Sequence, residues 1–594
     1  MLSRREFLTA GAGIAAIQVR AQAPAKSQNI DDFFRDFTAE WVRRSPDLAT
    51  ATRYFSGEEQ DQLERRITPR TREWKQETVE LAGKGLARLR KFDRAPLNET
   101  QSVSADLMEW QLNDVVQEQR FDDYWFPLNQ MRGANVGLID RLTIRHPMAT
   151  ERDAENYLVA LGEVRAGMEE VIAEAQRLEA KKIIPPKFIL QATAKQMRGF
   201  VDNQPGQNPF ALVFADKLAA IKTVPENKRE QLGAAVEKVV AEQIYPVWKK
   251  GVALLESQQA KATDDAGLWK LKGGAEAYQY FLHHFTTTKL TPTQIHQIGL
   301  QQVARIEAEM DRLFHKLGRS EGSVKERIAK LRLDMQYPNP TSEASRAQIM
   351  RDIDAILDDA QKRSALLFDL RPKAAVVARA FPSFRENNAA ANYNFPAPDG
   401  SRPGTFQYPR RVNNMTKFGL RSLVYHETVP GHHYQLALQV EDKNLPRFRQ
   451  IGAFGNISAF AEGWGLYAER LVAESGWYGD DVEGQLGQLD AELFRARRLV
   501  VDTGLHAMKW TRQQGIDYGI EASEVERYCV FPGQACSYMM GELKLIELRE
   551  KAKKALGDKF SLREYHNVVL RTGTVPLELL EKQVDGYIGA AKKA

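Results

Sequence analysis

Residues 426–433 spell His-Glu-Thr-Val-Pro-Gly-His-His, so three of the chain's ten histidines stand within eight positions and a glutamate follows the first. A catalytic zinc takes two neutral imidazoles, a third protein ligand and an open position for water. A carboxylate beside that water can act as general base. The octet offers His426, a second histidine and the base, Glu427. Downstream, AFAEGWGLYAER at 459–470 offers a third ligand, Glu462.

The spacing departs from the helix that places two ligands at i and i+4. Position i+4 from His426 is Pro430, while His432 is at i+6 and His433 at i+7. On a straight helix i+6 lies about 240° round, and i+7 lies about 10 Å along the axis. Neither can share an ion with His426 there. Pro430 removes a helical N–H, and Gly431 accepts dihedrals that other residues avoid. If these two are looped out, His432 takes the i+4 role and His433 points elsewhere. The competing arrangements are His433 as the ligand, or a helix that simply ends at the proline.

A hydrolase of this kind also needs a donor for the developing oxyanion. Tyr538, in RYCVFPGQACSYMMGELK at 527–544, is the first choice. His506, in RARRLVVDTGLHAMKW at 495–510, and Arg527 stand behind it. A zinc histidine is usually oriented by a further carboxylate; Glu469 and Asp502 both qualify. Arg497, Arg498, Lys509 and Arg527 are each placed to clamp a substrate carboxylate or to pair with an acid on a neighbouring helix.

The elements that must position these residues are mostly helical. Ile30, Phe33, Phe34, Phe37 and Trp41 recur at helical spacing. Leu290-Thr-Pro-Thr-Gln-Ile295 reads as a capped helix start, with apolar positions to Leu317 and a stop at Gly318. Ser561 and Glu564 form a second capping pattern. One region differs: 374–410 is rich in Gly, Pro, Asn and aromatics. It predicts two or three short antiparallel strands beside the metal helix, where an edge could hold an extended substrate.

The chain has 594 residues, 27% of them charged, with 83 basic and 78 acidic side chains for a net +5. Its mean hydropathy is −0.46. No basic run stands out, which argues against nucleic acid as a partner. The two cysteines, Cys529 and Cys536, make no disulfide framework. The first 25 residues read as a targeting segment: Arg4-Arg5 in Ser-Arg-Arg-Glu-Phe-Leu resemble the twin-arginine export signal, and the apolar stretch after them is too short to span a bilayer. There is no lipobox cysteine. A periplasmic or secreted protein is expected, with no stable membrane anchor after signal removal. Residues 26–594 are expected to form one large domain, a helical half at 26–270 and a catalytic half at 271–594.

HETVPGHHYQ, AEGWGLYAE, RRLVVDTGLH and RYCVFPGQACSYMMG occur in that order. SPDLATATRYFSG and GAEAYQYFLHHFTTTKLTP precede them, and FSLREYHNVVLRTGTVPLELLE follows. Together they resemble the bacterial domain-of-unknown-function-885 family, from about residue 30 to the C-terminus. That family resembles helical gluzincin metallopeptidases. The resemblance implies a mainly α, elongated fold with a deep channel and a small antiparallel sheet beside the metal helix. It also implies zinc held by His426, His432 and Glu462, with Glu427 as base. The expected function is a zinc-dependent hydrolase of peptides or short oligopeptides. The alternatives are a zinc amidohydrolase of a non-peptide amide and a non-catalytic periplasmic binding protein. An intact Glu427 argues against the last, because binding needs no base.

Overall fold

The computed structural model describes residues 29–381, 386, 390–397, 400, 402–412 and 415–593. The expected export signal lies outside the described residues.

The chain is mainly helical, and the helices needed here are labelled in chain order. The first is α1 (Ile30–Arg43), where Asn29 caps the start and Ile30, Phe33, Phe34 and Phe37 are buried. It is followed by α2 (Glu99–Glu118), α3 (Gly274–Thr286) and α4 (Pro292–Lys316). The predicted start of α4 is present as a reciprocal capping box between Thr291 and Gln294, and Gly318 beyond its end has φ +70°. The region that carries the histidine octet contains α5 (Leu420–Glu427), α6 (His432–Glu441), α7 (Ser458–Glu474), α8 (Val482–Ala507), α9 (Ala522–Val530), α10 (Ser537–Leu556) and α11 (Leu562–Thr572). Ser561 caps α11 through the Glu564 amide.

Two long pairings organise this region: α4 lies against α8, and α7 lies against α10. One apolar core is built entirely from residues between Ile67 and Leu255. The largest core instead joins α1 and α2 to residues from Tyr337 to Ile588. The first helices therefore share a core with the region that carries the histidine octet.

The strands fall where expected, but their pairing is mixed rather than antiparallel. They are β1 (Val376–Ala380), β2 (Asn392–Asn394) and β3 (Gly404–Tyr408), in the order β1-β3-β2. β2 pairs antiparallel with β3, but β1 runs parallel to it, with Val376 opposite Gly404. The chain leaves β1, returns through β2 at the far side and enters β3 in the direction of β1. A parallel pair needs such a long crossover, and local composition does not reveal it. No helix among the described residues is long and apolar enough to cross a membrane.

Candidate metal centre

The octet folds as an interrupted helix. At the end of α5 the Thr428 amide still donates to the Val424 carbonyl, at 2.9 Å. The ladder then skips: the Gly431 amide donates to Tyr425, at 3.0 Å. In a continuous helix residue 429 would make that bond, so two residues are looped out. Gly431 is required here, because a Cβ would lie 2.0 Å from the His426 carbonyl oxygen and 2.4 Å from that of Tyr425. The fully buried Trp464 of α7 answers carbonyls left by the break, donating Nε1–H to Pro430 at 3.0 Å and to Gly431 at 3.1 Å. The helix resumes as α6 at His432.

The loop brings His432 round to His426, with ring centres 4.7 Å apart. Both Nε2 atoms face one oxygen of Glu462, at 3.6 Å from His426 and 3.5 Å from His432. One ligand atom from each of the three residues lies within 4.8 Å of the others. These separations are long for hydrogen bonds. They suit donors sharing one tetrahedral ion, for which bonds of about 2.1 Å set an edge of roughly 3.4 Å. Gly465 lets the His426 ring lie against α7, since a Cβ would be 2.7 Å from ring atom Cε1. Burial disfavours charge on Glu462, but its contacts with His426 and His432 hold the carboxyl well below the usual range.

His433 turns to the sheet. Its Nδ1 is 2.8 Å from the Tyr393 hydroxyl of β2, and burial lowers its pKa to about 4. It thus ties the small sheet to α6 as a neutral imidazole.

Behind His426 stands Glu469, seven residues after Glu462 on the same helix. One oxygen is 2.7 Å from His426 Nδ1, and the other accepts the Ser422 hydroxyl. Arg495 lies 3.8 Å away. Burial opposes its charge, but Arg495 and His426 keep its pKa below the ordinary value. Asp502, the other carboxylate considered, is elsewhere: it accepts from the Tyr278 hydroxyl at 2.7 Å and from the Gly533 amide at 3.0 Å. Glu427 is 8% exposed beside the two histidines. Burial raises its pKa, with His432 and His426 opposing, which makes it a stronger base.

Tyr538 joins this group, its ring nearly parallel to His426 with centres 6.5 Å apart. His506 does not. Its Nδ1 accepts the Leu268 amide at 3.1 Å and its Nε2 is 3.0 Å from the Tyr528 carbonyl. Both nitrogens are committed to main chain, so His506 is a packed core residue. Arg527 donates to Glu524 at 3.0 Å and to Gln534. Arg497 pairs with Glu307 at 2.9 Å, and Lys509 sits over Trp269. Both cysteines are free and buried.

Ser422, Trp464, Gly465 and Arg495 were not anticipated. Ser422 had a readable signal, lying one turn before His426 on the same helix face. The other three act through packing between helices. A cavity of about 470 Å³ lies on the Glu469 side of His426, lined among others by Glu469, Arg495, Phe494, Glu524, Leu423 and Tyr408 and by none of the three clustered residues.

The family model described as "Bacterial protein of unknown function (DUF885)" matches residues 46–584. The chain belongs to that family. Among solved structures it is similar to a "putative lipoprotein" from Colwellia psychrerythraea, at 31% identity and a TM-score of 0.89, covering 95% of this chain and 100% of that one. A second, a "putative lipoprotein of unknown function" from Shewanella oneidensis, has 17% identity and a TM-score of 0.68, with 94% and 99% covered; it shares the fold. No curated protein matches the chain.

Proposed function

We propose that this protein is a zinc-dependent hydrolase of the gluzincin kind, acting on peptides or short oligopeptides. The observation that carries the reading is the convergence of His426, His432 and Glu462 within 4.8 Å, with Glu427 enclosed beside them. The donor set fits the ion: two imidazoles and one carboxylate are a known catalytic zinc set. Glu469 gives His426 the outer partner that such ligands normally have.

A zinc ion held by these three residues would supply Lewis acidity and lower the pKa of water beside it. Glu427 then takes a proton from the attacking water. The water oxygen joins the acyl carbon, the C–N bond breaks, and Glu427 passes its proton to the leaving amine. Tyr538 donates its phenolic hydrogen to the developing oxyanion. Glu469 keeps the Nδ1–H tautomer of His426, so that Nε2 is free to bind metal. We also propose export through the Arg4-Arg5 signal; the description of both structural relatives as lipoproteins supports export of this fold.

Elemental analysis should find about one zinc per chain. Digestion of a peptide library should give cleavage that Glu427→Gln abolishes while retaining the metal. Full activity in that variant, or a chain that takes up no zinc, refutes the proposal.

A further inference from the structure

Tyr538 is backed by arginines. The Arg498 guanidinium carbon lies 4.6 Å from its ring centre, and that of Arg495, one turn earlier on α8, lies 5.8 Å away. Arg495 stands 3.8 Å from Glu469, and its Nε is buried without a partner. Arg498 is set deeper, with a side chain only 6% exposed. Its Nε donates to the Tyr528 hydroxyl at 3.1 Å and its Nη2 to Glu524 at 2.8 Å. Its Nη1 is buried and closes no hydrogen bond. Burial opposes the charge on Arg498, but Tyr528, Glu524 and Tyr538 raise its pKa, Tyr538 through charge and a looser hydrogen bond.

The same carboxylate serves a second guanidinium. Arg527 donates at 3.0 Å to the Glu524 oxygen that Arg498 uses, and the Tyr528 hydroxyl donates to it at 3.1 Å. Arg527 also feels Tyr538: burial and Arg498 oppose its charge, while Tyr538 and Glu524 raise its pKa. Asp502, a further carboxylate within reach of Arg527, is turned to Tyr278 and the Gly533 amide. Two guanidinium groups therefore share one carboxylate behind Tyr538. Burying charge in that ratio is costly, and stability alone does not call for it.

The network also holds the backbone that carries Tyr538. Arg527 donates to Gln534 as well, and Gln534 donates to Ser458 at 3.2 Å. Ser458 opens α7 one turn before Glu462, and its hydroxyl is 2.8 Å from that of Ser537, the first residue of α10. The Ser537 hydroxyl donates to the Gln534 carbonyl, also at 2.8 Å. One chain of bonds thus runs from α8 through α9 to the starts of α10 and α7. Tyr538 is the point at which it meets His426, ring nearly parallel to ring. An oxyanion donor works by standing in place before the charge appears. A planar guanidinium pinned at two nitrogens and stacked on the phenol removes the freedom of the ring to swing.

We propose that Arg498, pinned by Glu524 and Tyr528, is a positioning residue for Tyr538 and holds the phenol ring in place beside His426. The proposal rests on the hydrolase reading above. A double-mutant cycle of Arg498→Lys and Tyr538→Phe tests it. Values of kcat, KM and zinc affinity are measured for each variant, and crystal structures of wild type and Arg498→Lys are compared. Lysine keeps the charge but neither the planar stack nor the paired bonds.

Arg498→Lys should lower kcat by about 10-fold or more, a part of the roughly 10²–10³ that loss of the donor itself costs. KM and zinc affinity should stay within about 2-fold, and in the Tyr538→Phe background the same change should cost less than about 3-fold. In the Arg498→Lys crystal the Tyr538 ring should move from its place by about 1 Å or more. Losses that multiply in the double variant overturn the proposal, because Arg498 then acts apart from Tyr538. A rise in KM or a loss of zinc affinity as large as the fall in kcat also overturns it, marking a substrate contact or general damage. If zinc-loaded wild type cleaves no peptide, the hydrolase reading fails and the crystals decide the positioning: a ring left in place overturns it, and a displaced ring supports it. Glu524→Gln removes the shared charge and keeps both arginines, and it carries the same cycle if Arg498→Lys does not fold.

Discussion

Glu469 offers the sharpest test of how the proposed metal centre is held. Replacing it with alanine removes the acceptor 2.7 Å from His426 Nδ1 and the partner of Ser422. It also leaves Arg495 without its nearest anion. A buried hydrogen bond to a charged group contributes about 1.5–3 kcal/mol. If most of that acts on the orientation and basicity of His426, zinc affinity falls by about 10- to 100-fold. Glu469→Gln keeps an acceptor for His426 but loses the charge, so it should sit near the lower end of that range. Competition with a chromogenic chelator measures the affinity, and thermal unfolding of the zinc-free protein reports any general damage. Asp502→Asn is the matched control, because Asp502 faces Tyr278 and Gly533 and should leave zinc affinity unchanged. The reasoning fails if Glu469→Ala binds zinc within two-fold of wild type, or if Asp502→Asn weakens it as much.

Tyr538→Phe should lower kcat by about 10²–10³ and leave zinc content unaltered, measured on the best substrate from the library digest; an undiminished rate removes Tyr538 from the mechanism. Gly431→Ala should lose more than about 10-fold in zinc affinity, since its Cβ would meet two backbone oxygens inside 2.5 Å and the loop that aims His432 cannot keep its path; chelator competition with normal affinity would show that the loop tolerates a side chain. Glu542, fully buried with neither oxygen hydrogen-bonded, has its pKa pushed well above the ordinary carboxylate range by burial and by the nearby Glu492. Its folded pKa is raised above the ordinary 4.5, so folding keeps a proton that the unfolded chain releases, and stability falls as pH rises above 4.5. Glu542→Gln lacks that loss, so its melting temperature relative to wild type should climb from pH 5 to pH 8, and a constant difference would refute the assignment.

Much of the local structure was legible from residue order. The α1 stripe, the Thr291–Gln294 capping box and the stop at Gly318 depend on neighbours within a few positions. The two-residue loop at Pro430-Gly431 followed from helical geometry, because i+6 can meet i only if two residues leave the ladder. The parallel pairing of β1 with β3 was not legible, since composition marks a strand without stating its direction. His506 shows the opposite limit: an imidazole on an apolar helix looks the same in sequence whether it faces a substrate or, as here, two main-chain groups.

What the sequence by itself offered is a set of candidate donors and their local carriers: His426 with His432 or His433 across a broken helix, Glu427 beside them, and Glu462 on a helix of its own. Only the tertiary structure decided which carboxylate stands behind His426, that Trp464 holds the broken turn, and that Arg495 lacks a full set of partners. Those facts depend on how α7 and α8 pack against α5. Glu469 and Asp502 are equally plausible in sequence, yet the rotation of each helix about its axis sends one to His426 and the other to Tyr278. Helix rotation is set by the summed packing of many apolar side chains across distant segments, and no short stretch of sequence contains that sum.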